Sequence, residues 1–311
     1  MRWIVRVAAL LALLCGPSYA QYNSFPPGVF NGRAALDATS GVCSQASTYL
    51  TALSSASGAP TAGTQTAITT LICGLVTDGV FSKLDVLYLF AINSNGAGDL
   101  GAANALVNAA NPGTFNGTAN GSPSFSANNG YAGVDASTTV YIDTGFNPST
   151  ATSPQFTRNS SHVMAWPYTN AASGASGGSA IALVLGSNNT SRVYPRYSDN
   201  NFYSDANSAT NSTGVSNNTN TGGMYLVSRT GASSVDHYKI TTNQGNTSES
   251  SAAVLNGNFA VLAQRVAGAG VNFGSALQLA TVSIGGGLSS TDVSNLESRL
   301  CTYLTTVHGS C

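Results

Sequence analysis

The chain has 311 residues, of which 42 % are hydrophobic and only 7 % are charged, so it can build a sizeable core. Its formal net charge is −1, and without the arginines at positions 2 and 6 nine basic residues stand against twelve acidic ones. A chain with no basic excess lacks the field that holds nucleic acid or an anionic membrane, and both partners are excluded.

Residues 1–20 have the pattern of a secretory signal peptide. Two arginines precede an apolar run over residues 7–14, and residues 18–20 form a small-x-small cleavage site. The apolar run is too short for a stable membrane span. Lipoprotein processing at Cys15 is the alternative, although the bulky Leu14 stands where a small residue is expected. The sequence therefore predicts an exported protein of the periplasm, cell surface or medium, with no membrane span.

Four cysteines follow this leader: Cys43, Cys73, Cys301 and Cys311. An even number in an exported chain indicates disulfide bonds, and four cysteines allow three pairings. Local pairing, Cys43 with Cys73 and Cys301 with Cys311, needs the least long-range assembly and is the predicted arrangement. A link between the N-terminal helices and the C-terminal tail is the alternative. No pair has CxxC spacing, so neither a metal site nor a cofactor is predicted.

The segment 21–110 is predicted to be mainly helical. The pattern is loosely helical from Arg33 to Leu53. A better helix ends at Asp78-Gly79, and its apolar residues recur at helical spacing: Ile68, Leu71, Ile72, Leu75 and Val76. A third and very apolar helix is predicted from Phe81 to Phe90.

Residues 93–99 have a faint likeness to a calcium loop. The segment contains a single charged residue and lacks the glutamate that closes such a loop, so a plain linker is predicted.

From residue 111 onward, the pattern is that of short strands between loops rich in Asn, Ser, Thr and Gly. A glycine-rich corner leads into a predicted strand from Thr139 to Thr144, with alternating apolar and polar residues. Thr230–Ser234 is predicted to join two strands as a hairpin, and Ser198–Gly223 is predicted to be a loop. The further predicted strands are His162–Tyr168, Ala180–Leu185, Ser191–Tyr197, Met224–Arg229, Val235–Thr241, Asn258–Arg265 and Leu277–Ile284.

The order of these elements predicts the fold class. Many short strands with no helices between them indicate an all-β, antiparallel sandwich of the jelly-roll kind and exclude a parallel α/β fold. Leu288–Asp292 is predicted to cap a C-terminal amphipathic helix. The apolar stripe of this helix is formed by Val293, Leu296, Leu300, Leu304 and Val307.

Several of these stretches resemble the concanavalin A-like (LamG-type) jelly roll. Gly133–Gly145 is similar to its opening strand, Tyr225–Thr241 to a strand pair with a short loop, and Ala280–Leu296 to its last strand and following helix. Together with the lead Leu71–Ile92, the chain resembles poorly characterised bacterial and phage-associated members. The resemblance implies a jelly-roll domain over residues 111–311. This superfamily includes lectins, adhesins, glycosidases and lyases, so the resemblance implies fold more than function.

The carboxylates do not form the pattern of a glycosidase. Jelly-roll glucanases carry Glu-x-Asp-x-Glu on one strand, whereas this chain has only two glutamates, Glu249 and Glu297. The arginine-rich strand of the alginate lyases cannot be matched onto residues 192–197. The histidines lack a companion nucleophile motif and are expected to be structural or exposed. No catalytic residue is predicted, which favours a protein without enzymatic activity.

Aromatic and cationic side chains on common strand faces are the best functional signal. Period 2 places Trp166 with Tyr168 on one face of its strand, and Arg192, Tyr194 and Arg196 on one face of another. Sugars stack on aromatic planes beside a few fixed donors, and arginine suits acidic sugars. These five residues are the predicted ligand-binding set. The alternative places the two aromatic residues in the core and the arginines in solvent.

The sequence thus predicts an exported, non-catalytic binding module for a glycan or a cell-surface polysaccharide. A structural or phage-derived envelope protein without a small ligand is one alternative, and a polysaccharide hydrolase or lyase is the other. An acidic glycan is expected to offset the charges of Arg192 and Arg196, because few acidic residues lie near them in sequence. Replacing both arginines with alanine is expected to weaken its binding with little change in melting temperature.

Overall fold

The computed structural model describes residues 41–56, 58–92, 100–170, 178–185, 189–211 and 215–311. The predicted signal peptide and the predicted linker at 93–99 lie outside these residues. The described helices are α1 (Ser44–Ala56), α2 (Ala62–Thr77), α3 (Ala102–Ala105) and α4 (Ser290–His308), with a 3₁₀ turn at Phe81–Lys83. The strands are β1 (Leu84–Leu89), β2 (Thr118–Asn120), β3 (Ser124–Ser126), β4 (Gly130–Ala132), β5 (Tyr141–Asp143), β6 (Ser161–Pro167), β7 (Ile181–Val184), β8 (Thr190–Tyr194), β9 (Asn201–Ser208), β10 (Ser216–Asn217), β11 (Tyr225–Arg229), β12 (Val235–Lys239), β13 (Thr242–Thr247), β14 (Ala260–Val261), β15 (Gln264–Val266), β16 (Val271–Asn272) and β17 (Gln278–Gly285).

The strands form two sheets that pack as a sandwich, which confirms the predicted all-β fold with helices at both ends. The first sheet has the order β13-β12-β11-β6-β17-β4-β3, with β1 also paired to β17. The second sheet has the order β10-β9-β8-β7-β14-β5-β2, with β15 against β7 and β16 against β15. Among the described strands every pairing is antiparallel except that of β15 with β7.

The predicted helix from Phe81 to Phe90 is wrong. Strand β1 occupies most of this stretch and pairs with β17 along its length. All of its residues except Asp85 are buried, because the strand lies inside the molecule. A strand buried on both faces loses its polar–apolar alternation, and periodicity then cannot separate it from a buried helix. The segment 21–110 therefore contributes a strand to the first sheet.

The predicted loop at Ser198–Gly223 is wrong in part, because it contains β9 and β10. The sequence of β9, NFYSDANS, is polar and has a low strand propensity. Its buried polar groups are nevertheless bonded in the folded chain; Ser204 Oγ, for example, lies 2.8 Å from His237 Nδ1. Long-range partners thus stabilise a strand that local composition disfavours. The predicted strand at 139–144 is also shorter, since β5 spans three residues.

The helices with clear local signals form as predicted. Helix α2 ends at Thr77, with Asp78 as its C-cap. Helix α4 begins after Ser289, whose Oγ accepts a hydrogen bond from Asp292 N while the Asp292 carboxylate accepts one from Ser289 N. Its predicted apolar stripe is buried. Tyr303 of α4 donates to Ala91 O at 3.0 Å, which ties the helix to the end of β1.

Two disulfide bonds have the predicted local pairing. Cys43–Cys73 joins the start of α1 to α2, and Cys301–Cys311 closes the C-terminal tail onto α4. Such bonds fit a protein of an oxidising, extracytoplasmic compartment. Across the described ranges, no helix combines the length and apolar character that crossing a bilayer requires.

Candidate functional site

Strand β8 divides its side chains between the two faces of the second sheet. Val193 belongs to the main core, whereas Thr190, Arg192 and Tyr194 lie on the opposite, outer face. Strands on either side continue this outer face, because pairing aligns their residues with those of β8. The aligned outer-face residues are Ala182 and Val184 of β7, Tyr203 and Asp205 of β9, and Gln264 and Val266 of β15.

The outer face carries a cavity of about 380 Å³, named here the outer-face cavity. Its described lining residues are Val184, Thr190, Arg192, Tyr194, Tyr197, Asn211, Gln264, Val266, Asn272 and Phe273. Aromatic rings, amides and a hydroxyl thus surround one concave space, which is the usual composition of a small-ligand site.

Arg192 is held by a partner from the neighbouring strand. Its Nε lies 2.5 Å from Asp205 Oδ2, and the side chains are 11 % and 0 % exposed. The guanidinium carbon lies 5.0 Å from the ring centre of Tyr194 and 5.6 Å from that of Tyr203. Burial lowers the pKa of Arg192, but Asp205 and Tyr194 more than offset this, so its pKa lies above the usual value. The expected partner of Arg192 was an acidic glycan, whereas in the structure Asp205, 13 residues further along the chain, offsets its charge.

Tyr194 begins a hydrogen-bond chain across the floor of the outer-face cavity. Its hydroxyl donates to Gln264 Oε1, and Gln264 Nε2 donates to Asn272 Oδ1 at 3.0 Å. Burial raises the pKa of the Tyr194 hydroxyl to about 12, although Arg192 acts in the opposite direction. The tyrosine is thus neutral at physiological pH. The Tyr197 ring lies nearly parallel to that of Tyr194, with ring centres 6.1 Å apart.

Two polar atoms of the cavity lining have no hydrogen-bond partner among the residues that the structure describes. They are Thr190 Oγ1 and Asn211 Oδ1. Thr190 is 1 % exposed, so its hydroxyl has lost bulk water without gaining a bond to any described residue. A buried hydroxyl without a partner is unfavourable, and such groups mark places where a ligand or water completes the bonding.

Phe273 lies at the cavity in an unusual backbone conformation. Its φ is 50°, in the left-handed region that a bulky side chain rarely adopts. The residue belongs to none of the hydrophobic clusters of the described chain. A strained backbone thus presents an aromatic ring that the core does not use. Strain of this kind concentrates at ligand sites.

The remaining predicted ligand residues lie away from the outer-face cavity. Arg196 does not line it, and both its Nε and Nη2 donate to Asn200 Oδ1, at 2.9 and 2.6 Å. Trp166 lies in the first sheet and is 1 % exposed, so it is a core residue and offers no stacking surface. Tyr168 is half-buried and stacks on His308 of α4, with ring centres 3.9 Å apart. Only Arg192 and Tyr194 of the predicted set come together at the cavity.

Two of the three histidines are buried and hydrogen-bonded within the fold. His162 Nδ1 donates to Gly286 O at 2.6 Å, so its Nε2 accepts from Ser283 Oγ at 3.0 Å. His237 is likewise buried between Ser204 and Thr247. Within the described ranges, no three His, Cys, Asp or Glu side chains are grouped closely enough to hold a metal ion.

The cavity residues contributed by β15 and β16 carry no sequence signal that marks them as ligand-binding. Gln264, Asn272 and Phe273 follow β8 by about 70 residues, and a parallel pairing brings β15 beside β7. The sequence offers one local indication: Phe273, a bulky residue, stands between Asn272 and Gly274. Asparagine and glycine are both common in turns.

A scan of protein-family models and a search of curated proteins found no match for the chain. Domain 4 of AbnA, a GH43 extracellular arabinanase from Geobacillus stearothermophilus in complex with arabinotriose, is similar over 69 % of this chain and 98 % of its own, at 16 % identity and a TM-score of 0.39. The botulinum neurotoxin serotype D binding domain matches 73 % of this chain at 10 % identity and a TM-score of 0.45, and the match spans about half (53 %) of that domain. Trypanosoma rangeli sialidase matches over 75 % of this chain and 38 % of its own, at 11 % identity and a TM-score of 0.38. At these scores the likenesses carry no conclusion about function.

Proposed function

We propose that the chain is an exported, non-catalytic carbohydrate-binding module of the concanavalin A-like kind, and that the outer-face cavity is its ligand site. Sugars bind where aromatic planes lie beside a few fixed polar groups, and the cavity supplies both. Its described lining contains no carboxylate, whereas glycoside hydrolysis ordinarily requires two. This composition favours binding over catalysis.

Phe273 is the observation that carries the proposal. A phenylalanine at φ 50° is strained by about 1–2 kcal/mol relative to a relaxed backbone. The ring packs in none of the described core clusters, so core packing does not explain an aromatic residue at this position. An apolar ring beside amides and hydroxyls suits the face of a sugar, which presents C–H groups to the ring and hydroxyls to the rim.

The proposed export rests on two features. Residues 1–20 have the composition of a secretory leader, and the described chain contains two disulfide bonds. We propose that the module reaches the periplasm, cell surface or medium, where polysaccharides are accessible to it.

The test replaces Phe273 with glycine and measures glycan binding by array and by titration calorimetry. Glycine adopts φ 50° without strain, so Phe273→Gly is expected to change the free energy of unfolding by no more than about 1 kcal/mol. Loss of the ring is expected to weaken binding at least about tenfold, or roughly 1.4 kcal/mol.

Ile240→Gly is the matched control. Ile240 also has a positive φ, 56°, and is 44 % exposed, but it lies between β12 and β13, strands of the first sheet. Ile240→Gly therefore makes the same backbone change and removes a similar apolar side chain away from the cavity. Equal affinities of the two variants would contradict the proposed site, and the absence of any glycan binding by the wild-type protein would contradict the proposed function.

A further inference from the structure

We infer that the outer-face cavity binds a neutral sugar unit and discriminates against uronic and sialic acids, an inference that rests on the proposed function. The expectation from sequence was an acidic glycan paired with Arg192. The contacts of Arg192, the charge balance of the cavity and two unpartnered polar atoms all point to a neutral ligand.

The charge of Arg192 is already compensated. Asp205 lies 2.5 Å from its Nε and is fully buried, so the two opposite charges offset each other. The rings of Tyr194 and Tyr203 lie near the guanidinium, with centres 5.0 and 5.6 Å from its central carbon. Because Asp205 already compensates its charge, Arg192 does not offer an unpaired cation to a free carboxylate.

The rest of the described lining is neutral. Apart from Arg192 it contains only apolar, amide, hydroxyl and phenol side chains, and the Tyr194 phenol stays protonated. An acidic sugar entering this site would lose water around its carboxylate without gaining an unpaired cation in exchange. Such desolvation is unfavourable, so the cavity disfavours an anion.

The two cavity atoms without a partner among the described residues, Thr190 Oγ1 and Asn211 Oδ1, are best satisfied by the hydroxyl groups of a ligand. Asn211 Oδ1 is an acceptor and requires a donor, whereas the Thr190 hydroxyl can donate or accept. Asn272 uses its Oδ1 to accept from Gln264, which leaves its amide N–H groups as donors. A sugar hydroxyl both donates and accepts, so adjacent hydroxyls satisfy all three groups. An ionised carboxylate only accepts and leaves Asn211 Oδ1 unsatisfied.

The test compares two panels of oligosaccharides by titration calorimetry on the purified protein. The neutral panel contains glucose, mannose, galactose and arabinose oligosaccharides, and the acidic panel contains glucuronate, galacturonate and sialate oligosaccharides. We expect the tightest neutral ligand to bind at least about tenfold more tightly than any acidic one. Raising the salt concentration from 0.05 to 0.5 M is expected to leave the neutral affinity unchanged, since no ion pair forms.

Thr190→Val probes the hydroxyl directly. The variant removes a buried hydroxyl that has no partner among the described residues, so the unliganded protein is expected to melt at the same or a higher temperature. Affinity for the neutral ligand is expected to fall about fivefold, because one hydrogen bond to the sugar is lost. Thr118→Val is the control, since Thr118 is an exposed residue of β2 in the same sheet and outside the cavity.

The outcomes separate this inference from the proposed function. A preference for acidic ligands, or an unchanged neutral affinity in Thr190→Val, would overturn the inference while carbohydrate binding stands. Failure of both panels to bind would overturn the proposed function as well. A neutral preference that Thr190→Val weakens and Thr118→Val leaves intact would support both.

Discussion

Replacing Arg192 with alanine is expected to destabilise the fold strongly, whereas replacing Arg196 is expected to have little effect. The two residues are four apart and were expected from sequence to act alike. Arg192 is buried against the fully buried Asp205, but Arg196 is half-buried and binds the neutral amide oxygen of Asn200. Because one partner is charged and the other is neutral, the two variants should lose different amounts of stability.

Removing Arg192 takes away the cation that contacts the buried Asp205 carboxylate, which is then left with the electrostatic attraction of Arg229. Loss of one partner from a buried ion pair costs about 3–5 kcal/mol, and the 2.5 Å contact with a 0 % exposed carboxylate places this pair in that class. At about 3 °C per kcal/mol for a chain of this size, the melting temperature should fall by about 10 °C. Arg196→Ala is expected to cost less than about 1 kcal/mol, because it loses hydrogen bonds to an accessible amide.

The assay is urea denaturation followed by circular dichroism, applied to Arg192→Ala, Arg196→Ala, Asp205→Asn and the double variant Arg192→Ala/Asp205→Asn. The double variant is expected to lose less than the sum of its single changes, because neither charge then remains buried alone. A cost for Arg192→Ala below about 1 kcal/mol, or strict additivity in the cycle, would refute the reasoning.

Three further predictions follow from buried or cross-linked groups. Burial lowers the pKa of His162 to about 4, while an unfolded histidine titrates near 6.5. Between these pH values the unfolded state binds more protons than the folded state. The free energy of unfolding should therefore fall by up to about 3 kcal/mol as the pH drops from 6.5 to 4. Urea titrations at several pH values should show a flatter profile for His162→Gln; an identical profile would contradict the assignment. Replacing Cys43 and Cys73 with serines should lower the free energy of unfolding by about 4 kcal/mol, and replacing Cys301 and Cys311 by about 3 kcal/mol. The first bond closes the longer loop, since the separations are 30 and 10 residues. A larger loss for the Cys301–Cys311 pair in urea denaturation would contradict this prediction. Arg229→Lys should lower the free energy of unfolding by at least about 3 kcal/mol, because the buried guanidinium donates to four backbone oxygens. The control, Arg158→Lys, changes an exposed arginine and should have little effect. Similar losses for the two variants in thermal denaturation would contradict this prediction.

The sequence correctly predicted those parts of the fold that depend on interactions between residues close together in the chain. Helix α4 has a capping box and an apolar stripe, α2 has helical spacing, and the β11–β12 hairpin has a short polar turn. Each of these features acts within a few residues, so the sequence expresses it directly. The disulfide pairing was also predictable, because local links close the shortest loops.

The strands that the sequence did not predict are stabilised by partners that lie far away in the chain. Strand β1 was predicted as a helix because its burial removes the polar–apolar alternation of a strand, and its pairing partner β17 is distant in sequence. Strand β9 was predicted as a loop because its polar side chains find partners only in the folded sheet. This second error concealed Asp205 and led to the expectation of an acidic ligand for Arg192.

The candidate site was predictable only in its central strand. Period 2 places Arg192 and Tyr194 on a common outer face, and the structure has them there. Trp166 also follows period 2, but the sequence does not show whether its strand face meets solvent or the core. Phe273 owes its position to a backbone conformation that propensity disfavours, and rules based on propensity therefore overlook it.

The most direct test of the carbohydrate site is a crystal structure of the protein with the tightest-binding neutral oligosaccharide of the panel. The expected result is a sugar ring in the outer-face cavity, with its C–H face within about 4 Å of Phe273 or Tyr197 and hydroxyls bonded to Thr190 Oγ1 and Asn211 Oδ1. A sugar bound elsewhere, with the outer-face cavity empty, would contradict it.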